Sequence, residues 1–258
     1  MWFDTHCHLD FAEFTSHRQA YNALFAEHEI ARFFVPSVGP DNWQDVLQLK
    51  KQRNHQVGLG IHPCFLQPLI DENILQRSLD ELHALALQNQ NSLSAIGECG
   101  LDKRIDVPIA TQLSAFHFQI ELAEQLQLPL VIHSVQQHHN IHASLQMRTR
   151  DNLGVVHAFS GNYQQAKSLL DLGLKIGVGG VITWPTAQKT REAIAKLPLD
   201  CIVLETDAPD MRITGFSQLP NSPHFLPKIF NQLVLLREES ASILADRIWK
   251  NSVNLFSR

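Results

Sequence analysis

Short apolar runs recur along the whole chain, and this recurrence constrains the fold more than any other feature of the sequence. Each run is followed by polar or glycine-containing residues. The runs are WFDTHCH (2–8), RFFVPSV (32–38), QVGLGIH (56–62), SAIGE (94–98), PLVIH (129–133), GVVH (154–157), LKIGVGG (174–180) and CIVLETD (201–207). Runs of this length, bounded by turn residues, predict strands, and near-continuous apolar character predicts burial on both faces.

Longer segments with helical periodicity lie between these runs. Apolar residues recur at three- and four-residue steps in 112–127, and 163–172 and 186–197 are further predicted helices. The tail, 223–256, predicts two helices that close the structure. Eight alternating strand–helix units in a chain of 258 residues predict one α/β domain over 1–258, a TIM (β/α)8 barrel. A doubly wound open sheet is the rival, but no G-x-G-x-x-G follows the first strand.

The composition excludes several classes of protein. A net charge of −5 and an isoelectric point near 6.3 argue against a long basic track for duplex nucleic acid. No apolar run is long enough to span a membrane, and no basic segment followed by an apolar one begins the chain. The four cysteines, Cys7, Cys64, Cys99 and Cys201, form no C-x-x-C pair. We therefore expect buried, reduced thiols and a cytoplasmic protein.

Polar residues that can bind metal end five of the eight predicted strands. Catalytic groups of a barrel lie at the C-terminal ends of its strands. In a strand, residues two apart point to the same face, so His6 and His8 should both enter the barrel mouth. The six candidate metal ligands are His6, His8, Glu98, His133, His157 and Asp207. Each histidine on its own could instead be a core residue with a satisfied hydrogen bond. Six potential ligands, four histidines and two carboxylates, at the same end of the barrel favour a metal site.

The carboxylates have distinct expected roles. Glu98 follows a buried apolar run, where a charge is costly unless it is paired or coordinated. Its two oxygens could bridge two cations, and the alternative is an ion pair with Lys103 or Arg104. Asp207, nearer the mouth, could bind metal and accept a proton from water. Glu205, one layer deeper, could orient a histidine or form a buried ion pair.

A second group of histidines lies in the stretch HSVQQHHNIH. His138 and His142 are four residues apart and could chelate a metal from one face of a helix. No carboxylate or third ligand follows at the same spacing. We therefore expect these two histidines to lie on a solvated helix face.

Several motifs resemble those of one known family. They are D-T-H-C-H-L-D (4–10), G-I-H-P (60–63), G-E-C-G-L-D (97–102), L-P-L-V-I-H (128–133), H-A-F-S-G (157–161) and L-E-T-D-A-P (204–209). Together they resemble the TatD family of metal-dependent deoxyribonucleases. The stretches K-I-G-V-G-G and A-K-L-P-L are similar to the YjjV branch of that family. The resemblance covers essentially the whole chain in the expected order.

The resemblance implies a distorted TIM barrel of the metal-dependent hydrolase superfamily with two divalent metal ions per chain. It implies that His6, His8, Glu98 and Asp207 hold the first ion, and that Glu98, His133 and His157 hold the second. Zn, Mn, Mg, Fe and Ni are the candidate metals, of which Mg fits so many nitrogen ligands least well. His62 of G-I-H-P resembles a family histidine that lies near the substrate phosphate, although it could also be a hydrogen-bonded histidine at a strand end.

Two departures from the family pattern remove positive charge near the expected substrate. Many relatives have arginine where this chain has Val135, and a basic run where 217–223 reads S-Q-L-P-N-S-P. Lys103 and Arg104, in the loop after the fourth strand, could compensate. The two departures argue against nucleic acid as the natural substrate, though not against hydrolysis. The resemblance implies DNA ends or another small phosphoester as partners, and no obligate protein partner is evident.

The expected reaction is hydrolysis of a phosphodiester by a metal-activated water, with Glu98 and Asp207 as catalytic residues. The alternative is a metal-dependent hydrolase that acts on a carboxylic ester, lactone or amide, as amidohydrolases do. A phosphoesterase of the polymerase-and-histidinol-phosphatase type also opens H-x-H but usually ends in D-x-H, whereas this chain has E-T-D-A-P. A metal-binding scaffold without enzymatic activity is the remaining alternative.

Overall fold

Eight parallel β-strands form one sheet in which each strand hydrogen-bonds to the next along the chain. The computed structural model describes residues 1–52, 55–148, 152–216 and 220–257. The strands are β1 (Trp2–Asp4), β2 (Ile30–Pro36), β3 (His55–Leu59), β4 (Ala95–Asp102), β5 (Leu130–Val135), β6 (Gly154–Val156), β7 (Leu174–Val178) and β8 (Ile202–Leu204). Each of the eight runs predicted from the sequence overlaps one strand.

The first and last strands meet through backbone hydrogen bonds just beyond their ends. The Thr5 N–H donates to the Leu204 carbonyl at 3.0 Å, and the Asp207 N–H donates to the His6 carbonyl at 2.8 Å. The two edges of the sheet are thereby joined, which removes the open edges that a doubly wound sheet would have. The predicted α/β TIM barrel is confirmed.

Helices surround the sheet and connect successive strands. Within the described ranges they are α1 (Ala12–Thr15), α2 (Arg18–Glu27), α3 (Trp43–Leu49), α4 (Leu66–Asp71), α5 (Leu75–Gln88), α6 (Ile109–Leu126), α7 (His138–Leu145), α8 (Tyr163–Leu170), α9 (Gln188–Lys196), α10 (Leu226–Val234) and α11 (Ala241–Leu255). The periodic segments predicted as helices correspond to α6, α8 and α9, and the predicted helix pair of the tail corresponds to α10 and α11. None of these helices combines the length and the apolar character that a membrane span needs.

An apolar layer closes the N-terminal end of the barrel. It consists of Phe3, Phe34, Ala95, Val131, Val155, Val203, Leu255 and Phe256, all of them buried. Phe256, just after α11, stacks on Phe34 with ring centroids 4.2 Å apart. Burial of aromatic rings contributes strongly to core stability, so the end of the chain anchors the lower half of the barrel.

Several strands end earlier than the sequence predicted. The runs 2–8 and 201–207 were expected to be strands throughout, but β1 ends at Asp4 and β8 ends at Leu204. His6, His8, Glu205 and Asp207 consequently lie in the loops that follow these strands. The strand-face argument for the two histidines was therefore wrong, because the parallel pairing of β1 with its neighbour ends at Asp4.

Strands β4 and β5 instead extend past their predicted ends, and β4 carries an irregularity at Glu98. Ile96 pairs with Leu130 and Cys99 pairs with Ile132, so three steps on β4 match two steps on β5. One extra residue in a strand bends it and changes the direction of nearby side chains. The bulge coincides with the carboxylate that the sequence singled out.

Three of the four cysteines are buried as predicted, and Cys64 is not. Cys64 lies in a short 3-10 turn, Pro63–Phe65, that follows β3 at the C-terminal end of the barrel. The expectation of a buried thiol was wrong there because this turn forms part of the mouth of the barrel.

We predict that Gly100→Ala lowers the free energy of unfolding by at least about 2 kcal/mol. An alanine there would be strained in its backbone conformation and would also overlap with β5, and the two costs add. Gly100 has φ +139°, and a Cβ there would lie 2.0 Å from the His133 carbonyl oxygen. The control is Gly215→Ala, at φ +85° with nothing within 4 Å of its Cβ. Urea unfolding measures both; equal costs would show that the β4–β5 approach is not the cause.

Candidate metal centre

The Glu98 carboxylate lies at the centre of the site and faces histidines on both sides. Its side chain is only 3% exposed. Oε2 lies 3.1 Å from His6 Nε2 and 3.5 Å from His8 Nε2. Oε1 lies 2.7 Å from His157 Nε2, 3.1 Å from His62 Nε2 and 3.3 Å from His133 Nδ1. The two oxygens of one carboxylate therefore address two separate groups of imidazoles.

Asp207 completes the group on the Oε2 side. Its Oδ1 lies 3.5 Å from His6 Nε2 and 3.8 Å from His8 Nε2. The structure thus brings together all six candidate ligands predicted from the sequence, with His62 beside them. The alternative pairing of Glu98 with Lys103 or Arg104 is not observed, because Arg104 pairs with Asp102 instead.

The donor atoms have the spacing and chemistry that a divalent cation needs. Three groups have ligand atoms within 4.8 Å of one another: His6, Glu98 and His157; His6, His8 and Asp207; and His62, Glu98 and His133. Ligands about 2.0–2.2 Å from one metal lie roughly 3–3.5 Å apart, close to several of the distances above. The ion pairs that Glu98 and Asp207 make within the described residues come from histidines alone. Bound divalent ions would neutralise these carboxylates.

Burial sets the protonation of the imidazoles. It holds the pKa of His6 well below its usual range and lowers the pKa of His8 to about 4. Neutral imidazole is the form that binds metal. Burial and the nearby Glu98 charge raise the pKa of Asp207 well above its ordinary value. Burial acts in the same direction on Glu98, but the surrounding His157 and His62 outweigh it and hold the pKa of Glu98 low.

Asp4 fixes the two ligand-bearing loops that follow β1 and β8. Its Oδ1 accepts hydrogen bonds from the His6 N–H at 3.2 Å and the Thr206 N–H at 3.0 Å. Its Oδ2 accepts from the Thr206 hydroxyl at 2.6 Å. Burial raises the pKa of this fully enclosed carboxyl to about 7. The Asp4 side chain thereby sets the position of the segment 6–8 relative to the segment 205–207.

Asp102, at the end of β4, orients His133. Its Oδ2 lies 3.0 Å from His133 Nε2, so that nitrogen carries a hydrogen and donates it. The other nitrogen, Nδ1, faces Glu98. Burial lowers the pKa of His133, but hydrogen bonds to Asp102 and Glu98 outweigh it and raise that pKa. Burial opposes ionisation of Asp102, but hydrogen bonds from His133 and Arg104 hold its pKa below the ordinary value. A carboxylate behind a histidine is the usual arrangement for fixing the ring of a metal ligand.

His62 differs from the other histidines in its tautomer. Its Nδ1 accepts a hydrogen bond from the Cys64 N–H at 3.1 Å, so the neutral ring carries its hydrogen on Nε2. The His62 Nε2–H therefore donates toward Glu98 Oε1. Gln119 of α6 holds the preceding residue by bonds to the Ile61 N–H (2.8 Å) and carbonyl (3.1 Å). This geometry favours a hydrogen-bond donor over a metal ligand at His62.

Glu205 lies beneath the ligand layer, fully buried. Its Oε1 accepts a hydrogen bond from the Ala158 N–H, directly after His157. The distance from Oε1 to His157 Nδ1 is 3.8 Å, too long for a hydrogen bond. Gly177 provides room for the carboxyl, because a Cβ there would lie 2.5 Å from Oε2. Glu205 thus supports the backbone of the histidine loop, and burial raises its pKa well above the usual range.

A cavity of about 610 Å³ opens above these groups. Three aromatic side chains, Phe11, Phe65 and Trp184, contribute to its lining. Four lining residues have left-handed backbone: Gln136 (φ 55°), Ala158 (φ 44°), Asp207 (φ 59°) and Met211 (φ 52°). Non-glycine residues in this region cost energy and concentrate at functional sites. The strain supports this cavity as the place where the protein acts.

Two further expectations have outcomes here. His138 was expected on a solvated face, but it is only 3% exposed. Its Nδ1 lies 2.7 Å from the Ser134 hydroxyl and its Nε2 lies 3.1 Å from the Ser160 carbonyl. That expectation was wrong because α7 packs this side of the helix against β5. Val135 lines the cavity as the family pattern implies, whereas 217–219 lie outside the described residues.

Sequence reasoning missed Asp4 and Asp102, although both belong to quoted motifs. Glu98 and Asp102 are four residues apart, a spacing that places two side chains on one face of a strand. That spacing could have identified Asp102. Asp4 gave no comparable signal, because its partner Thr206 is about 200 positions away in the chain.

The whole chain matches one family, and its relatives agree. The family profile described as TatD related DNase matches residues 3–257. The metal-dependent hydrolase YjjV of Escherichia coli (strain K12) is 38% identical, over 98% of this chain and 97% of that protein. A protein of Pantoea vagans (strain C9-1) named 3'-5' ssDNA/RNA exonuclease TatD is 36% identical, over 66% of this chain and 68% of its own.

Solved structures agree with these matches. The crystal structure of Escherichia coli YjjV superimposes with a TM-score of 0.93, at 38% identity, and covers 99% of this chain and 97% of that one. A TatD family protein of Entamoeba histolytica shares the fold, with a TM-score of 0.83 at 20% identity and coverage of 99% and 97%. The chain is therefore a member of the TatD family of metal-dependent hydrolases.

Proposed function

We propose that this enzyme hydrolyses phosphodiesters at the ends of single-stranded DNA or in a small phosphoester, with two divalent ions. The observation that carries the proposal is the buried Glu98 carboxylate, whose two oxygens face two different sets of histidines. A bridging carboxylate is the arrangement expected of a two-metal hydrolase. The exonuclease name of the Pantoea relative supports a nucleic acid substrate.

The residues divide into two ligand sets. His6, His8, Asp207 and Oε2 of Glu98 would hold the first ion. His133, His157 and Oε1 of Glu98 would hold the second. When bound, such ions lower the pKa of water and neutralise charge that develops on phosphoryl oxygens. The nitrogen-rich donor set suits Zn, Mn, Fe or Ni better than Mg.

Asp207 is the group best placed to accept the proton of the attacking water. It lines the cavity, so its carboxylate can contact a water that attacks a bound substrate. As the oxygen of water bonds to phosphorus, the P–O bond to the leaving group breaks, and the departing alkoxide takes a proton from solvent to leave as the alcohol. The proton lost by the water passes to Asp207.

His62 acts as a donor in this scheme. Its Nδ1 is occupied by the Cys64 N–H, so only the Nε2–H can reach the substrate. In the structure that N–H faces Glu98 Oε1 at 3.1 Å, and when Oε1 instead binds an ion the N–H would be free to donate to a phosphoryl oxygen and stabilise charge there. We place the activity in the cytoplasm, in keeping with the unpaired cysteines; this location stays a prediction.

We predict that Asp207→Asn lowers kcat on a single-stranded DNA oligonucleotide by roughly 10²–10⁴-fold, the usual contribution of a proton acceptor and ligand. Glu98→Ala should act at least as strongly, since it removes both halves of the bridge. The measurement is release of the terminal nucleotide, with circular dichroism to verify folding.

The matched control is Asp210→Asn. Asp210 lines the same cavity without an ion pair to a candidate ligand among the described residues, so turnover should change little. Wild-type turnover by a folded Asp207→Asn enzyme would exclude Asp207 as the base. Hydrolysis of carboxylic esters, lactones or amides, but of no phosphodiester, would replace the proposed reaction with the amidohydrolase alternative.

Removal of metal should abolish activity and lower thermal stability. Among the described residues the carboxylates of Glu98 and Asp207 have only histidines as ion-pair partners, so loss of the cations removes the main compensation of their charge. Dialysis against a chelator, metal analysis and calorimetry measure both effects, and single metals added back identify which ions restore turnover. Undiminished turnover by protein without detectable metal would contradict the mechanism.

Asp102→Asn should weaken metal affinity or turnover by roughly 10–100-fold, the usual cost of losing the group behind a histidine ligand. The amide removes the charged acceptor of the His133 Nε2–H without changing size. Asp106→Asn, an exposed change in the same loop, is the control. Metal titration followed by calorimetry measures the difference; equal affinities of the two variants would show that Asp102 does not position His133.

A further inference from the structure

Arg104 stands out at the edge of the cavity. Of the described residues that line it, Arg104 is the sole lysine or arginine. Its side chain is 66% exposed, so solvent and ligands can reach the guanidinium. The neighbouring Lys103 is also exposed but does not line the cavity. The cavity therefore has one fixed cation beyond the metal centre.

Asp102 holds that cation in place. The guanidinium donates from Nη2 to Asp102 Oδ2 at 3.1 Å and from Nε to Oδ1 at 3.3 Å. The Arg104 backbone N–H also donates to Oδ1, at 2.7 Å. These contacts fix both the backbone and the guanidinium of Arg104, whose side chain would otherwise be mobile. Less conformational entropy is then lost when it binds a ligand.

The guanidinium retains binding capacity after this pairing. Arginine has five N–H donors, and Asp102 accepts from two of them. The remaining donors have the planar arrangement that suits a phosphate or carboxylate. The Asp102 charge is moreover shared with the His133 Nε2–H, so it does not belong to Arg104 alone.

We propose that Arg104 binds a second phosphate of the substrate, next to the phosphodiester that is cleaved. This assignment rests on the proposed function and extends it. With one cation outside the metal centre, the cavity favours a substrate with one such additional phosphate, such as a phosphorylated dinucleotide or the end of a strand. Its described lining has no series of cations that would follow a long backbone.

A structural role is the competing explanation, because Arg104 could serve only to hold Asp102 behind His133. The two roles differ in how they depend on the substrate. Loss of a structural role lowers turnover of every phosphodiester by the same factor. Loss of a phosphate contact lowers kcat/KM only for substrates that have the additional phosphate.

The test compares three thymidine dinucleotides: one with only the internal phosphodiester, one with an added 5′-phosphate and one with an added 3′-phosphate. For the metal-loaded wild-type enzyme, kcat/KM should be about tenfold or more higher for at least one dinucleotide with an added phosphate than for the dinucleotide without one, as a charge-assisted contact would give. Arg104→Gln should bring that ratio close to one, mainly through KM. Arg104→Lys should keep part of the preference, and Lys103→Gln, which removes the adjacent charge, should keep all of it.

Each other outcome overturns the assignment. Equal loss on all three dinucleotides in Arg104→Gln would show a structural role, and a wild-type enzyme without preference would show that no second phosphate is bound. In both cases the proposed phosphodiesterase activity stands. Absence of wild-type turnover on all three would overturn that activity together with the assignment.

Discussion

The architecture of the site depends on one interaction, the burial of the Glu98 carboxylate among five imidazoles. A carboxylate that is 3% exposed loses most of its hydration, and neutral histidines return only part of that energy. Asp207 adds a second carboxylate that faces His6 and His8. Cations are the natural complement of such a group, and the barrel places each contributing loop so that its donor atom faces the same small volume.

Rigidity in this site comes from groups that do not themselves face the substrate. Asp4 joins the loops after β1 and β8, Glu205 holds the Ala158 N–H, and Gln119 holds the backbone before His62. Each buried carboxyl or amide spans two segments that are far apart in the chain. The left-handed conformations of Ala158 and Asp207 persist because such contacts determine the backbone around them. Stability elsewhere, mainly in the aromatic layer around Phe34 and Phe256, offsets the cost.

The sequence predicted the barrel well because strand and helix periodicities are local signals that repeat eight times. The ligand set could also be predicted, since each member ends an apolar run and barrels gather strand ends at one face. What failed was local geometry. His6 and His8 point into the site from a loop, and the bulge in β4 at Glu98 depends on pairing with β5. The burial of His138 likewise depends on how α7 packs, which helical spacing alone does not determine.

The division of labour within the cavity follows from where its charges are. The carboxylates and imidazoles of the candidate metal centre lie at the floor, and the wall combines apolar and aromatic side chains with two charged ones, Arg104 and Asp210. The aromatic side chains of this wall can stack on a nucleobase or another ring without discriminating between bases. The guanidinium of Arg104 brings its charge to this wall from the loop that follows β4. Attachment to Asp102 links it through one carboxylate to His133, so the residue proposed to recognise the substrate and the residue proposed to hold the metal share a single anchor.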